Sequence, residues 1–250
     1  MIKHAMTKLG LTLAVALTAA SPVLASSEGD APPAIGTRAD NIASVQRGAK
    51  LFFNYCVGCH SLQFMRYSRI ADDLGLSEDE VVQNFAAFTN SKIGDTVVSS
   101  MPEADAAAWF GKAPPDLSLE ARSKGPDWIA DYLKSFYVDH SRPLGWNNKR
   151  FPGASMPNVL WEMQGIQHAE MGHAKEGGEA HIEGLKLVTP GTQSEAQFHE
   201  TVKDITSFLQ YVGEPAALKR QSMGAWVVLY LAFFTFLAWL LKKEYWKDVH

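Results

Sequence analysis

The residues with the clearest chemical content are Cys56-Val57-Gly58-Cys59-His60. Two thiols two residues apart, followed at once by an imidazole, form the C-x-x-C-H pattern of covalent haem attachment. The spacing serves the chemistry: the thiols add to the two vinyl groups on one edge of a porphyrin, and the next residue brings an imidazole beneath the iron. Cys56 and Cys59 are the expected thioethers and His60 the expected iron ligand on one face. Zinc and redox-dithiol readings of C-x-x-C fare worse. Structural zinc wants four ligands, and the chain has 2 cysteines; a dithiol is usually followed by a helix in a βαβ unit, and no such alternation follows His60.

An iron that holds His60 takes a sixth ligand, Met or His, for electron transfer; an open position suits oxygen or peroxide chemistry. Met65 stands too near the motif to reach round the ring. Met101, Met156, Met163 and Met171 remain, with His140, His168, His173, His181 and His199. Met156 is the first choice, because irregular backbone ending in proline, here Phe151-Pro152-Gly153-Ala154-Ser155-Met156-Pro157, crosses a haem face well. Met101, also followed by Pro, is second, and core packing is the ordinary alternative for any single Met.

The elements that must position these groups read as mainly helical. Residues 41–55 carry Ile42, Val45, Ala49, Phe52 and Phe53 near one face, with Gly48 allowing a second helix to approach, and deliver the motif at their end. Ser77 and Glu80 form a capping box for a short helix. Residues 90–101 read as a hairpin or loop turning at Gly94-Asp95, and residues 103–110 as a helical turn or two. Pro114-Pro115 forces residues 112–118 to be extended. Pro126 starts a helix with Trp128, Ile129, Tyr132, Leu133 and Phe136 apolar. Residues 138–163 read as one long irregular stretch able to wrap a haem edge. Residues 165–184, rich in Gly, Glu and His, read as a surface excursion, and residues 185–189 as a strand. Thr192 and Glu195 suggest a second capping box, opening a helix through Phe198, Val202, Ile205 and Leu209 that ends near Gly213.

Both ends bear on location. Lys3 and Lys8, an apolar run and Val23-Leu24-Ala25 read as a secretory signal cut after Ala25. Its removal lowers Lys plus Arg from 23 to 21 against 27 acidic residues, a formal charge of −6 where the whole chain carries −4. That balance argues against nucleic acid. Residues 224–241 hold no charge, carry aromatics toward their margins and precede Lys242-Lys243, as a single membrane span does. The expected division is 1–25 signal, 26–218 haem domain, 219–242 anchor and 243–250 tail. Because c-type haem is attached on the periplasmic side of bacterial membranes, the domain is expected in the periplasm of the inner membrane and the tail in the cytoplasm. Acidic residues among 72–105 read equally as a docking face or a solvated surface. No catalytic motif beyond the haem site stands out.

The C-V-G-C-H-S run with Arg66-Tyr67, the A-P-P-D-L-S segment followed by Ala121-Arg122, F-P-G before a Met-Pro, and one C-terminal anchor in that order resemble the cytochrome c1 family, the haem c subunit of ubiquinol:cytochrome c oxidoreductase (bc1) complexes. The resemblance implies a mainly α, c-type cytochrome domain with long haem-wrapping loops, one covalent haem c and one C-terminal transmembrane helix. It places Met156 at the family's axial methionine, so that His60 and Met156 are the metal ligands, Arg122 at an arginine close to a haem propionate, and Pro114 and Pro115 along the haem. It implies cytochrome b and Rieske iron-sulfur subunits as partners and a cytochrome c as acceptor. Two departures stand out: a single Pro157 follows the Met where many relatives have a longer proline run, and residues 165–184 match nothing assigned. A tethered cytochrome c serving a terminal oxidase is the alternative within the same chemistry.

Overall fold

Asn41 opens the first helix by accepting the Ser44 N–H on its side chain at 3.2 Å, one of the donors that a helix start leaves without an internal partner. This helix, α1 (Ile42–Tyr55), buries Val45, Ala49, Phe52 and Phe53 and leaves Ile42 48% exposed at its first turn, so Ile42 is not part of the apolar face. The computed structural model describes residues 31–172 and 182–248. The proposed signal, residues 1–25, lies outside them, as do His173 and His181.

After the motif come β1 (Leu62–Arg66), α2 (Tyr67–Leu74) and α3 (Glu78–Asn84), the last opened by the expected Ser77–Glu80 capping box. A 3-10 turn at Ala86–Thr89 leads to β2 (Thr96–Val97), which pairs antiparallel with β1. Residues 90–101 therefore close a turn against the strand after the motif and do not form a hairpin of their own. Next are α4 (Glu103–Phe110), α5 (Glu120–Ser123) and α6 (Pro126–Lys134), the last with Pro at its start.

The stretch 138–163 is more ordered than its Pro, Gly and Asn content suggests. Phe136–Val138 (β3) and Trp146–Asn148 (β4) form an antiparallel hairpin in the register Phe136 with Asn148, Tyr137 with Asn147 and Val138 with Trp146. Strands of three residues are too short to display alternation, which hides them in sequence. A helical turn, α7 (Trp161–Gln164), precedes β5 (Gly165–Met171) and β6 (Ile182–Pro190), an antiparallel pair. The described part of the expected surface excursion is thus a β-hairpin.

The long helix α8 (Glu195–Gly213) starts from Ser194 and Gln197, not from Thr192 and Glu195. Thr192 is already committed, its N–H and Oγ1 donating to the Glu162 carbonyl at 2.8 and 3.1 Å, so the next hydroxyl in the same spacing becomes the cap. The core is centred on α1 packed against α8. A Cβ on Gly48 would run into the Asp204 carbonyl and lie 2.8 Å from the Phe208 Cβ, which is why a glycine stands there. The same Asp204 carboxylate accepts Ser44 Oγ at 2.6 Å and Arg47 Nε and Nη2 at 2.6 and 2.8 Å, tying the two helices together.

The final helix, α9 (Ala217–Tyr245), contains the apolar run Met223–Tyr245. At 1.5 Å per residue that run is about 34 Å long, enough to cross a hydrocarbon layer of ~30 Å. None of it is buried against the rest of the protein. The architecture is mainly α, with three two-stranded sheets among the described residues.

Candidate functional site

The C-x-x-C-H turn is formed where α1 runs out. Cys56 caps the helix, and its carbonyl accepts the N–H groups of Cys59 at 3.0 Å and His60 at 2.8 Å, so the three side chains leave one tight turn. Val57 is buried beneath it. Both cysteines are free and partly buried, and burial pushes the Cys56 thiol up to about 12 and raises Cys59 as well. A redox dithiol wants the opposite, a thiol that loses its proton easily. Such thiols suit a role in which sulfur becomes an uncharged thioether.

His60 is 9% exposed, and its Nδ1 lies 2.8 Å from the Pro115 carbonyl oxygen. A carbonyl only accepts, so Nδ1 carries the proton and Nε2 is left with its lone pair. Burial lowers the His60 pKa and so keeps the ring neutral, an effect that the Pro115 carbonyl, Asp116 and Glu120 partly offset. A neutral imidazole oriented through one nitrogen and open at the other is how a metal-ligating histidine is prepared. No hydrogen bond engages Nε2 among the described residues.

The extended segment that supplies this carbonyl is laced to the motif along its length. Asp116 accepts Gln63 N–H and Ser118 N–H at 2.8 Å each, Leu117 N–H donates to Ser61 O at 2.9 Å, and Ser118 Oγ accepts Phe64 N–H at 3.1 Å. Pro114 and Pro115 keep the segment out of helix, freeing these groups to pair sideways. Ser99 makes a second tie: its Oγ donates to Gly58 O at 2.8 Å and accepts Met101 N–H at 3.1 Å, which places Met101 beside the motif's own turn.

Met156 lies in irregular backbone, partly buried against the same apolar core on which Cys56, Leu117, Trp128, Tyr132 and Val159 pack. Asn148, fully buried, accepts Arg150 and Phe151 N–H at 2.9 and 3.0 Å ahead of it. Behind it Asn158, also buried, accepts Leu160 N–H at 3.0 Å and donates to Gln164 Oε1 at 2.7 Å. Trp128 stacks on Tyr132 with centroids 5.4 Å apart and meets Phe151 edge-on at 6.5 Å, so α6 and the methionine loop share an aromatic wall. Arg122 is exposed on α5, its backbone 3.5 Å from where a Cβ on Gly213 would sit. Met65 and Met163 are core residues, whereas Met171, His140 and His168 are exposed. No cluster of three or more His, Cys, Asp or Glu suited to another metal occurs among the described residues.

The asparagines and the aromatic wall escape a sequence reading centred on ligands. Their only signal is the density of Asn between Gly and Pro, which announces turns without saying what the turns hold.

Two thiols in one turn, a buried tautomer-fixed imidazole and a methionine in a nearby loop, on a mainly helical frame, are groups of the kinds that a c-type haem domain uses. Comparison with known proteins narrows this class. The Cytochrome C1 family pattern matches residues 37–249. The chain is 50% identical to a cytochrome c1 of Allochromatium vinosum over 94% of its own length and 96% of that protein. It is 41% identical to a Nitrosomonas europaea protein named ammonia monooxygenase gamma subunit, over 85% of this chain and 86% of that one. It is also 27% identical to the Bradyrhizobium diazoefficiens protein named cytochrome b/c1, covering 83% of this chain and 33% of that longer one. The chain belongs to the cytochrome c1 family, and membership implies a c-type haem and a role in electron transport.

Proposed function

We propose that this chain is the haem c subunit of a bacterial bc1-type complex, taking one electron at a time from a Rieske iron-sulfur subunit and handing it to a cytochrome c. The observation that carries the reading is the His60 imidazole, held through Nδ1 by Pro115 with Nε2 left for iron, directly after two cysteines in one turn. Bound there, a haem iron supplies reversible one-electron chemistry.

The chain's own residues do the rest. Cys56 and Cys59 would hold one haem covalently through thioether bonds, and His60 and Met156 would be the ligands to its iron. Pro114 and Pro115 would run along the ring, and Arg122, exposed on α5, would be available to a haem carboxylate. A neutral thioether as the iron's second ligand would favour the reduced state and raise the potential. The apolar core on which Cys56 and Met156 pack would help keep water from the ring. Residues 1–25 act as a removable signal, α9 as the single span in the inner membrane, and the domain faces the periplasm. Cytochrome b is the expected membrane neighbour; the Bradyrhizobium relative's name, cytochrome b/c1, supports that pairing.

Purification from membranes in mild detergent tests this. A pyridine haemochrome spectrum with both vinyl groups saturated, one haem per chain, and co-purifying cytochrome b and Rieske proteins are expected. Haem c without either companion would favour the tethered shuttle to a terminal oxidase, and haem lost on acid-acetone extraction would overturn covalent attachment.

A further inference from the structure

The loop bearing Met156 is gripped at one residue by two side chains of the neighbouring hairpin. Residues 151–154 make a turn closed by the Ala154 N–H donating to Phe151 O at 3.2 Å, with Pro152 second and Gly153 third at φ 80°. Proline then glycine with positive φ is the type II signature, and it fixes the turn's shape but not its place. The place comes from β3–β4 and the loop between them. Asn147 Oδ1 accepts the Gly153 N–H at 2.8 Å, and Arg142 Nη2 donates to the Gly153 carbonyl at 2.9 Å. Both backbone polar groups of one residue, three positions before the methionine, are held from the same hairpin.

The grip is itself braced. Asn147 Nδ2 donates to Asp139 Oδ2 at 2.9 Å, which settles which end of the Asn147 amide faces Gly153. The backbone N–H of Arg142 donates to Asp139 O at 3.1 Å, so both gripping residues answer to Asp139. Arg142 Nε is buried and makes no hydrogen bond among the described residues. The half-buried guanidinium thus turns Nη2 toward the Gly153 carbonyl while Nε lies out of solvent. Arg142 also lines a cleft of about 190 Å³ with Trp109, Gly111, Trp146 and Ser155, bounded by the residues that lead into Pro114 on one side and Met156 on the other.

We propose that Arg142 and Asn147 are positioning residues for the Met156 sulfur: through Gly153 they hold the methionine loop closed, and so set how firmly the sulfur stays on the iron. The inference rests on the reading of Met156 as an iron ligand. Its logic is a two-state equilibrium between sulfur-on and sulfur-off loops. Removing the charged hydrogen bond to Gly153 raises the sulfur-off population by about tenfold.

The test uses the full-length haem protein in detergent, with carbon monoxide as the probe of the sulfur-off state. Arg142→Leu and Asn147→Ser are expected to keep haem covalently attached, to bind carbon monoxide about tenfold faster when reduced, to weaken the sulfur-to-iron charge-transfer band and to lower the potential. Arg142→Lys, which retains a donor, is expected to restore most of each signal. A merely structural role would move unfolding but not these readouts. If Met156→Leu lowers the potential while Arg142→Leu and Asn147→Ser leave it and carbon monoxide binding unchanged, the positioning role is wrong and the ligand stands. If Met156→Leu itself changes nothing, both readings fall.

Discussion

His60 Nδ1 donates to the Pro115 carbonyl across 2.8 Å, although 55 residues separate them in sequence. The imidazole's orientation is thus set by a segment that must itself be held in place, and Asp116 is what holds it, accepting from Gln63 and Ser118 at 2.8 Å. Asp116→Ala is expected to lower stability by about 1.5–3 kcal/mol, the range for hydrogen bonds to a charged group. Denaturant unfolding of the haem-loaded protein measures it, and a change within experimental error would mean that the segment is held by its other ties.

Met156→Leu keeps side-chain volume but removes the sulfur lone pairs. The potential is expected to fall by on the order of 0.1 V or more, within the ~0.8 V over which axial ligands move haem. Potentiometric titration reads it directly, and the haemochrome spectrum should stay that of haem c.

Gly48→Ala places a methyl group against the Asp204 backbone, which cannot rotate out of the way as a side chain would. A loss of about 3 kcal/mol is expected, at the upper end for overpacked cores. Since α1 delivers the motif, haem attachment should fall with it. Normal yields of haem-loaded Gly48→Ala would show that the two helices can separate at little cost.

Asp139 offers a dependence on pH. Hydrogen bonds from Ser141 and Asn147 hold its carboxyl below the usual carboxylate range. A carboxyl with a depressed folded-state pKa contributes stability that is fully present above its unfolded pKa and is lost as pH falls through the folded one. Wild type is therefore expected to exceed Asp139→Ala in stability at neutral pH, with the gap closing in acid below pH ~4. A gap that persists unchanged into strong acid would contradict the assignment.

The parts of the molecule that could be read from sequence are those in which one residue type does one job locally. C-x-x-C-H states its chemistry by spacing, Pro114-Pro115 excludes helix, Gly48 announces a close approach, and an 18-residue uncharged run measures itself against a bilayer. What stayed hidden depends on partners far along the chain. Nothing near Asn147 or Arg142 says that both will meet Gly153, and Asn158 gives no sign that it will be buried against Gln164. The misplaced capping box has the same origin. Thr192-x-x-Glu195 and Ser194-x-x-Gln197 are equivalent locally, and only the Glu162 carbonyl, brought up by α7, decides between them.

Between Gly213, the last residue of α8, and Ala217, the first of α9, stand three residues, 214–216. Arg220 pairs back across them to Glu214, an exposed contact that adds little, so the shortness of the link matters more than the charge pair. Fully extended, three residues reach about 10 Å. With α9 in the bilayer as proposed, the domain has almost no leash: it cannot sweep the space above the membrane in search of a donor or an acceptor. On that placement this protein would be the fixed post in any exchange of electrons, and whatever loads or unloads it would do the travelling.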